Sequence, residues 1–190
     1  MAKLLLISGS LRGGSTNSAT LRTAAALSPA GTRAAIYDGM GRLPHFNPAD
    51  DPADGVGLDP EVAALRTALA GVDALLLSTP EYAGALPGSF KNLLDWTVGG
   101  GQTYGMPVAW INVSGAAAPS GGSAAHDSLR KVLGYTGARI VEEAVLRLPL
   151  SRDDVGADGL ITPPEARDRI VASVTTLATA ASCVDGPASV

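Results

Sequence analysis

Cysteine is almost missing from this chain: Cys183 is the only one in 190 residues. A lone thiol excludes an internal disulfide and a multi-cysteine metal site, and the pattern suits a reducing compartment, so the expected location is cytoplasmic. Histidine is nearly as scarce. His45 and His126 stand far apart, too few for an ordinary histidine-based metal site, and no metal is expected. Positive charge is thin as well: 14 Lys and Arg against 18 Asp and Glu leave a net charge of -4. Nucleic acid selects a clustered basic surface, so no nucleic-acid partner is expected. Long apolar runs are also absent. Leu4 to Ile7 falls short of the roughly 7 to 15 residues of a signal core, and no window approaches the about 20 needed to cross a bilayer. No membrane partner is expected either. The chain has no GxSxG elbow, and Cys183 falls in the last helical stretch or its tail, which leaves nucleophilic catalysis without support.

What the chain has in abundance is apolar residues, 46% of the total, enough for one substantial core. One compact unit is expected over residues 1–184, with 185–190 as a flexible tail. Five short apolar runs read as strands: 4–8 (LLLIS), 33–38 (RAAIYD), 74–79 (ALLLST), 108–114 (VAWINVS) and 138–148 (ARIVEEAVLRL). Three of them lack strict alternation, as strands covered on both faces do. Helical stretches begin near 17–18, 60, 88, 124 and 163, and Asp59, Pro60 and Glu61 supply a cap, a first-turn proline and an acid for the second of them. Strands alternating with helices indicate an α/β fold with a doubly wound parallel sheet. The Pro-, Asp- and Gly-rich stretch 41–60 reads as an exposed irregular connection. In such sheets ligands sit beyond the carboxyl ends of the strands, which directs attention to the loops after strands one, three and four.

Residues 8–17, SGSLRGGSTN, follow the first strand and open a helix. Backbone N–H groups at such a junction point outward together with a partial positive charge behind them. Ser10, Ser15, Thr16 and Asn17 add short donors, and Arg12 adds a planar cation suited to phosphate. The Walker pattern and the dinucleotide fingerprint are both missing, since residues 9–14 read GSLRGG. Single residues of this kind are commonly mere helix caps; the whole set points to a terminal phosphate.

After the third strand comes PEYAGALPGSFKNLLDW, residues 80–96. The two motifs together, GSLRxGSxN and PEYxxxxPGxxKNxxDW, resemble the NAD(P)H-dependent FMN reductase and quinone reductase family of flavodoxin-like proteins, and LPHFNPAD and a Ser-Gly after strand four extend the resemblance over nearly the whole chain. The resemblance implies a three-layer flavodoxin-like fold with five parallel strands in the order 2-1-3-4-5. It places FMN phosphate on Ser10, Arg12, Ser15, Thr16 and Asn17, the isoalloxazine beside Pro80, Glu81 and Tyr82, and Ser114 and Gly115 at the ring's other edge. Many relatives carry Asn and a bulky residue at the positions of Ala83 and Gly84, so contact there is left to the backbone. NADPH or NADH is implied as co-substrate and a quinone, free flavin, azo compound or metal oxyanion as acceptor, in a ping-pong cycle without a dedicated protein acid or base. Backbone amides near Glu81 and Tyr82 are expected to meet negative charge on the reduced ring. A homodimer or homotetramer is implied, with Pro44 to Phe46 and Trp96 as candidate interface anchors. Lys91 and Asp95, four apart, read as a surface ion pair without chemistry. A flavodoxin-like electron carrier and a relative that has lost its flavin are the competing readings; Arg12 and the mild net charge favour the enzyme over the carrier.

Overall fold

Leu4, Leu5, Leu6 and Ile7 are all sealed from solvent, and the strand that carries them, β1 (Ala2–Ser8), lies inside a parallel sheet. The computed structural model describes residues 1–115 and 120–183, so the tail expected at 185–190 lies outside the described residues. β2 (Thr32–Tyr37) pairs with one side of β1, β3 (Ala74–Ser78) with the other, followed by β4 (Pro107–Asn112) and β5 (Arg139–Ile140). The order is β2-β1-β3-β4-β5, as the resemblance implied.

Successive side chains of a strand face opposite ways, and here each direction feeds a separate core. Leu4, Leu6, Leu76 and Ile111 pack against α1 (Thr16–Ala26) and α5 (Pro164–Ser182). Leu5, Ile7, Leu75, Leu77 and Trp110 pack on the opposite face, against α2 (Pro60–Ala70), α3 (Gly88–Asp95) and α4 (Ser123–Tyr135). Three layers result. The start expected for α2 is present, with Asp59 accepting from the Glu61 N–H at 2.8 Å. Among the described residues no helix is long and apolar enough to cross a membrane.

One expectation needs correction. The run 138–148 is not one strand: β5 ends at Ile140, a 3-10 turn spans Glu142–Ala144, and a sixth strand, β6 (Leu146–Arg147), pairs with the far end of β4. Val141, Ala144 and Leu148 are the buried residues of this stretch, a spacing no continuous strand delivers to one face, while Glu142 is drawn outward to Arg130. The 41–60 connection is exposed and irregular as expected, and it is pinned at one point. Asn92 Oδ1 accepts from the Phe46 N–H at 2.7 Å, and both Asn92 Nδ2 and Trp96 Nε1 donate to the Pro44 carbonyl at 2.9 Å. Phe46 stands edge-on to Trp96 with ring centroids 5.0 Å apart. Pro44, the half-buried Phe46 and the fully buried Trp96 are thus engaged with one another within the chain.

Candidate functional site

Three loops open at the carboxyl ends of the adjacent strands β1, β3 and β4. Ser78, the last residue of β3, joins them: its buried hydroxyl lies 2.9 Å from Asn17 Oδ1 and 2.9 Å from the Ile111 carbonyl and is shared between the two acceptors. Gly9 presses the first loop onto the second. Its N–H donates to the Ser78 carbonyl at 2.8 Å, and a Cβ there would stand 2.5 Å from Thr79 Oγ1 and 2.9 Å from Phe90. Only glycine allows that approach.

In the first loop Ser15 is the cap of α1, its Oγ accepting from the Ser18 N–H at 3.1 Å and donating to Ser18 Oγ at 2.9 Å. Ser8 Oγ stands 3.1 Å from the same Ser18 hydroxyl, and Ser10 Oγ accepts from the exposed Arg12 N–H at 3.3 Å. Ser15 thus spends its hydroxyl on the cap, while Ser10 Oγ and Asn17 Oδ1 act only as acceptors and keep their O–H and N–H groups for other partners. What remains open differs in kind. Among the described residues, nothing accepts from the N–H groups of Thr16 and Asn17 or from the exposed Arg12 guanidinium, and Thr16 contributes a hydroxyl beside them. The first turn of α1 carries no acidic side chain to compete for those donors, and a side chain at Gly13 or Gly14 would meet nothing within 4 Å. A cation, a hydroxyl and two helix-end amides around open space are what a phosphate requires. The residues present fit the tail of FMN.

The second loop is a hairpin in miniature. Tyr82 and Ala85 exchange both backbone hydrogen bonds at 3.1 Å, and the two residues between them, Ala83 and Gly84, have φ of 50° and 73°. Two positive φ values define a type I′ turn, which favours Asn-Gly. Ala83 is the one non-glycine residue in that region among those described, and it is exposed, so its strain has no packing to offset it. Ala83→Asn is expected to raise unfolding stability by about 0.5–1 kcal/mol, read from urea denaturation. The hairpin also corrects one assignment: the Tyr82 amide goes to Ala85 and is not free for a ring. The Tyr82 side chain is 55% exposed, beside the cradle's neighbouring strand.

Glu81 does not face outward with Tyr82. Its carboxylate accepts from the Ser120 hydroxyl and from the Ala125 N–H at 3.2 Å, at the start of α4. The N-cap of that helix is Gly122, which has no side chain to accept a bond, so Glu81 supplies the missing acceptor from another loop. The Ser120 bond, with the Ala125 and Ala124 amides, holds the carboxyl below the usual carboxylate range. In the third loop, Asn112 does comparable work: its Oδ1 accepts from the Ser114 N–H at 2.8 Å and its Nδ2 donates to the Gly121 carbonyl at 3.2 Å. Ser114 and Gly115 are half-buried at the mouth of that loop, and Pro80 is half-buried opposite. Asn112 was not among the residues singled out from sequence, although an Asn at a strand end before Ser-Gly is a signal for a side-chain-closed turn.

Behind Glu81, Trp110 Nε1 donates to His126 Nδ1 at 2.9 Å. Indole nitrogen is only a donor, so the imidazole is neutral with its proton on Nε2. Burial first, then the charges of Arg130 and Arg147, lowers its pKa to about 4. The unfolded chain therefore takes up a proton near pH 6.5 that the folded chain refuses until about 4. Stability is expected to be complete above pH 6.5 and to fall as pH drops through that window; in His126→Gln the slope of unfolding free energy against pH should flatten there by nearly one proton.

The chain is 32% identical over 170 residues to an NAD(P)H-dependent FMN reductase of Pseudomonas aeruginosa, covering 88% of this chain and 89% of the relative. To a 2-hydroxy-1,4-benzoquinone reductase of a Burkholderia species it is 31% identical over 169 residues, 87% of this chain and 88% of the relative. Among solved structures, the flavoenzyme NAD(P)H:(acceptor) oxidoreductase FerB of Paracoccus denitrificans superposes with a TM-score of 0.75 at 24% identity, over 93% of this chain and 97% of that one. A flavodoxin from Pseudomonas aeruginosa, solved as a cysteine-to-alanine mutant, gives 0.57 at 20%, over 92% and 98%, so the fold is flavodoxin-like. The family model for NADPH-dependent FMN reductase matches residues 2–151, a span that contains all three loops, and the chain belongs to that family.

Proposed function

We propose that this protein is an NAD(P)H-dependent oxidoreductase that holds FMN across its three loops and reduces a small quinone-like acceptor in a ping-pong cycle. The observation that carries this reading is the set of free donors around Arg12, Thr16 and Asn17, set beside the strand ends from which two further loops rise. FMN, when bound, would supply the two-electron redox chemistry between nucleotide and acceptor. Arg12 and the α1 amides would anchor its phosphate, and the 80–87 hairpin and the Ser114–Gly115 turn would border its ring. NADH or NADPH gives up a hydride and leaves as the oxidised nucleotide; a quinone then gains two electrons and two protons, the second proton from solvent. Because Glu81 is committed to capping α4, the chain contributes position and polarity rather than an acid or base.

The same arrangement would take a free flavin, an azo compound or a metal oxyanion at the acceptor stage. The experiment is stopped-flow mixing of the FMN-loaded protein with NADH and with NADPH, followed by a second mix with benzoquinone. Flavin absorbance should bleach and then return, and steady-state double-reciprocal plots should be parallel. No bleaching with either nucleotide would remove the enzymatic reading; intersecting lines would remove the ping-pong order.

A further inference from the structure

The hairpin leaves negative charge on a reduced ring short of partners: the Tyr82 N–H goes to Ala85 at 3.1 Å, and the Glu81 carboxylate at the start of α4 is itself an anion. The opposite border offers a cation. β6 ends in Arg147, in register with Asn112 at the end of β4, and so sets its side chain beside the third loop. Gly121, whose carbonyl accepts from Asn112 Nδ2, lies under the guanidinium, and a Cβ at Gly121 would overlap Nη2. Arg147 is exposed, and among the described residues its guanidinium has neither a hydrogen-bond acceptor nor an ion-pair partner. The cations around it are committed. Arg130 is paired with Glu142 and lies over the Trp110 ring at 5.2 Å, while Arg169 donates to the Arg147 carbonyl at 2.8 Å and so fixes the backbone that carries the open guanidinium. Its charge already acts on this part of the site, where together with Arg130 it helps to keep His126 neutral.

Arg12 at the first loop and Arg147 beside the third thus flank the strand ends. In the order β1-β3-β4-β6 their strands lie three separations, about 14 Å, apart. The ribityl chain and ring of FMN together can cover that span, with the phosphate at Arg12 and the pyrimidine edge toward Arg147. A hydride brings two electrons and one proton, so a reduced ring carries one negative charge, shared between N1 and O2 of that edge. Charge placed near N1 is one of the means by which a protein tunes a flavin. A planar guanidinium can donate to both atoms at once.

We propose that Arg147 is the electrostatic partner of the reduced flavin, its guanidinium stabilising the anionic pyrimidine edge in preference to the neutral oxidised one. This inference rests on the reading that FMN occupies the three loops, and the test keeps the two apart. FMN-loaded protein is reduced by xanthine and xanthine oxidase beside a reference dye, which needs no nicotinamide nucleotide, and affinity for oxidised FMN is read from fluorescence quenching. Wild type, Arg147→Gln, Arg147→Lys and Lys131→Gln are compared. Arg147→Gln should weaken binding of reduced FMN about tenfold relative to oxidised FMN, which for a two-electron couple lowers the midpoint potential by about 30 mV. Arg147→Lys should lose about threefold or less, and Lys131→Gln, which removes an exposed cation elsewhere on α4, less than about twofold. Circular dichroism confirms that the variants are folded. A potential unmoved by Arg147→Gln, equal weakening of both oxidation states, or the same drop in Lys131→Gln overturns the proposal. If the wild type holds no FMN, the reading of the three loops falls and takes this inference with it. If the shift appears while neither NADH nor NADPH bleaches the flavin, the part given to Arg147 stands and the enzymatic reading falls.

Discussion

Replacing Arg12 by alanine is expected to raise the dissociation constant for FMN about 100-fold while leaving that for riboflavin unchanged. The guanidinium makes no hydrogen bond or ion pair with any described residue, so its removal breaks nothing that holds the fold. Its backbone N–H, which reaches Ser10 Oγ, is kept in the variant. A bidentate guanidinium-phosphate contact joins two charge-assisted hydrogen bonds, each contributing about 1.5–3 kcal/mol, and exposure to solvent and salt reduces the sum toward about 3 kcal/mol. That is about two decades in affinity. Arg12→Lys keeps the charge without the fork and should recover part of the loss. Riboflavin lacks the phosphate, which makes it the control: fluorescence quenching titrations with both flavins separate a lost anion contact from a collapsed loop. Equal FMN affinity in wild type and variant would show that the cradle around Thr16 and Asn17 holds the phosphate without the cation, or holds none.

Much of this was legible in the sequence because it depends on local chemistry. The runs of β1, β3 and β4 are apolar on both faces since helices cover both sides, and the cap, proline and acid at 59–61 mark the start of α2 by interactions within one turn. The loop after β1, which we propose holds a phosphate, is built from similarly local parts: one helix end, its cap and a nearby cation. What escaped depends on contacts between distant segments. Glu81 next to an exposed Tyr reads as part of a ring site, and only the folded chain shows a capless α4 waiting for its carboxylate. The split of 138–148 has the same origin, since β5 and β6 add to opposite ends of β4 and the turn between them is pulled outward by Arg130 on another helix. Asn92, within the family motif but assigned no part from sequence, fixes the backbone on both sides of His45 through Phe46 and Pro44, 46 and 48 residues away.

The 41–60 connection can be tested at its deepest anchor: Asp51→Ala is expected to lower stability by about 3 kcal/mol. Asp51 lies in a stretch whose composition suggests solvent exposure, yet its side chain is 8% exposed and that of its partner Arg66 is 13%. Arg66 Nη2 lies 2.8 Å from each Asp51 oxygen and also donates to the Trp96 carbonyl at 3.0 Å, so one guanidinium ties the connection to α2 and to the end of α3. Removing the carboxylate leaves a buried cation with a single carbonyl for company. Breaking such pairs costs about 3–5 kcal/mol, and the remaining Trp96 bond places this case at the lower end. The melting temperature should fall by roughly 6–12 °C for a chain of this size. Asp51→Asn, which keeps the shape and one acceptor, should lose less than half as much. The decisive comparison is the double variant Asp51→Ala, Arg66→Met. If the damage comes from the stranded charge, removing that charge as well should restore part of the stability; if the double variant is weaker than the single one by the full cost of losing Arg66, the pair contributes through packing and the Trp96 bond, and the ion pair itself holds the connection in place only slightly.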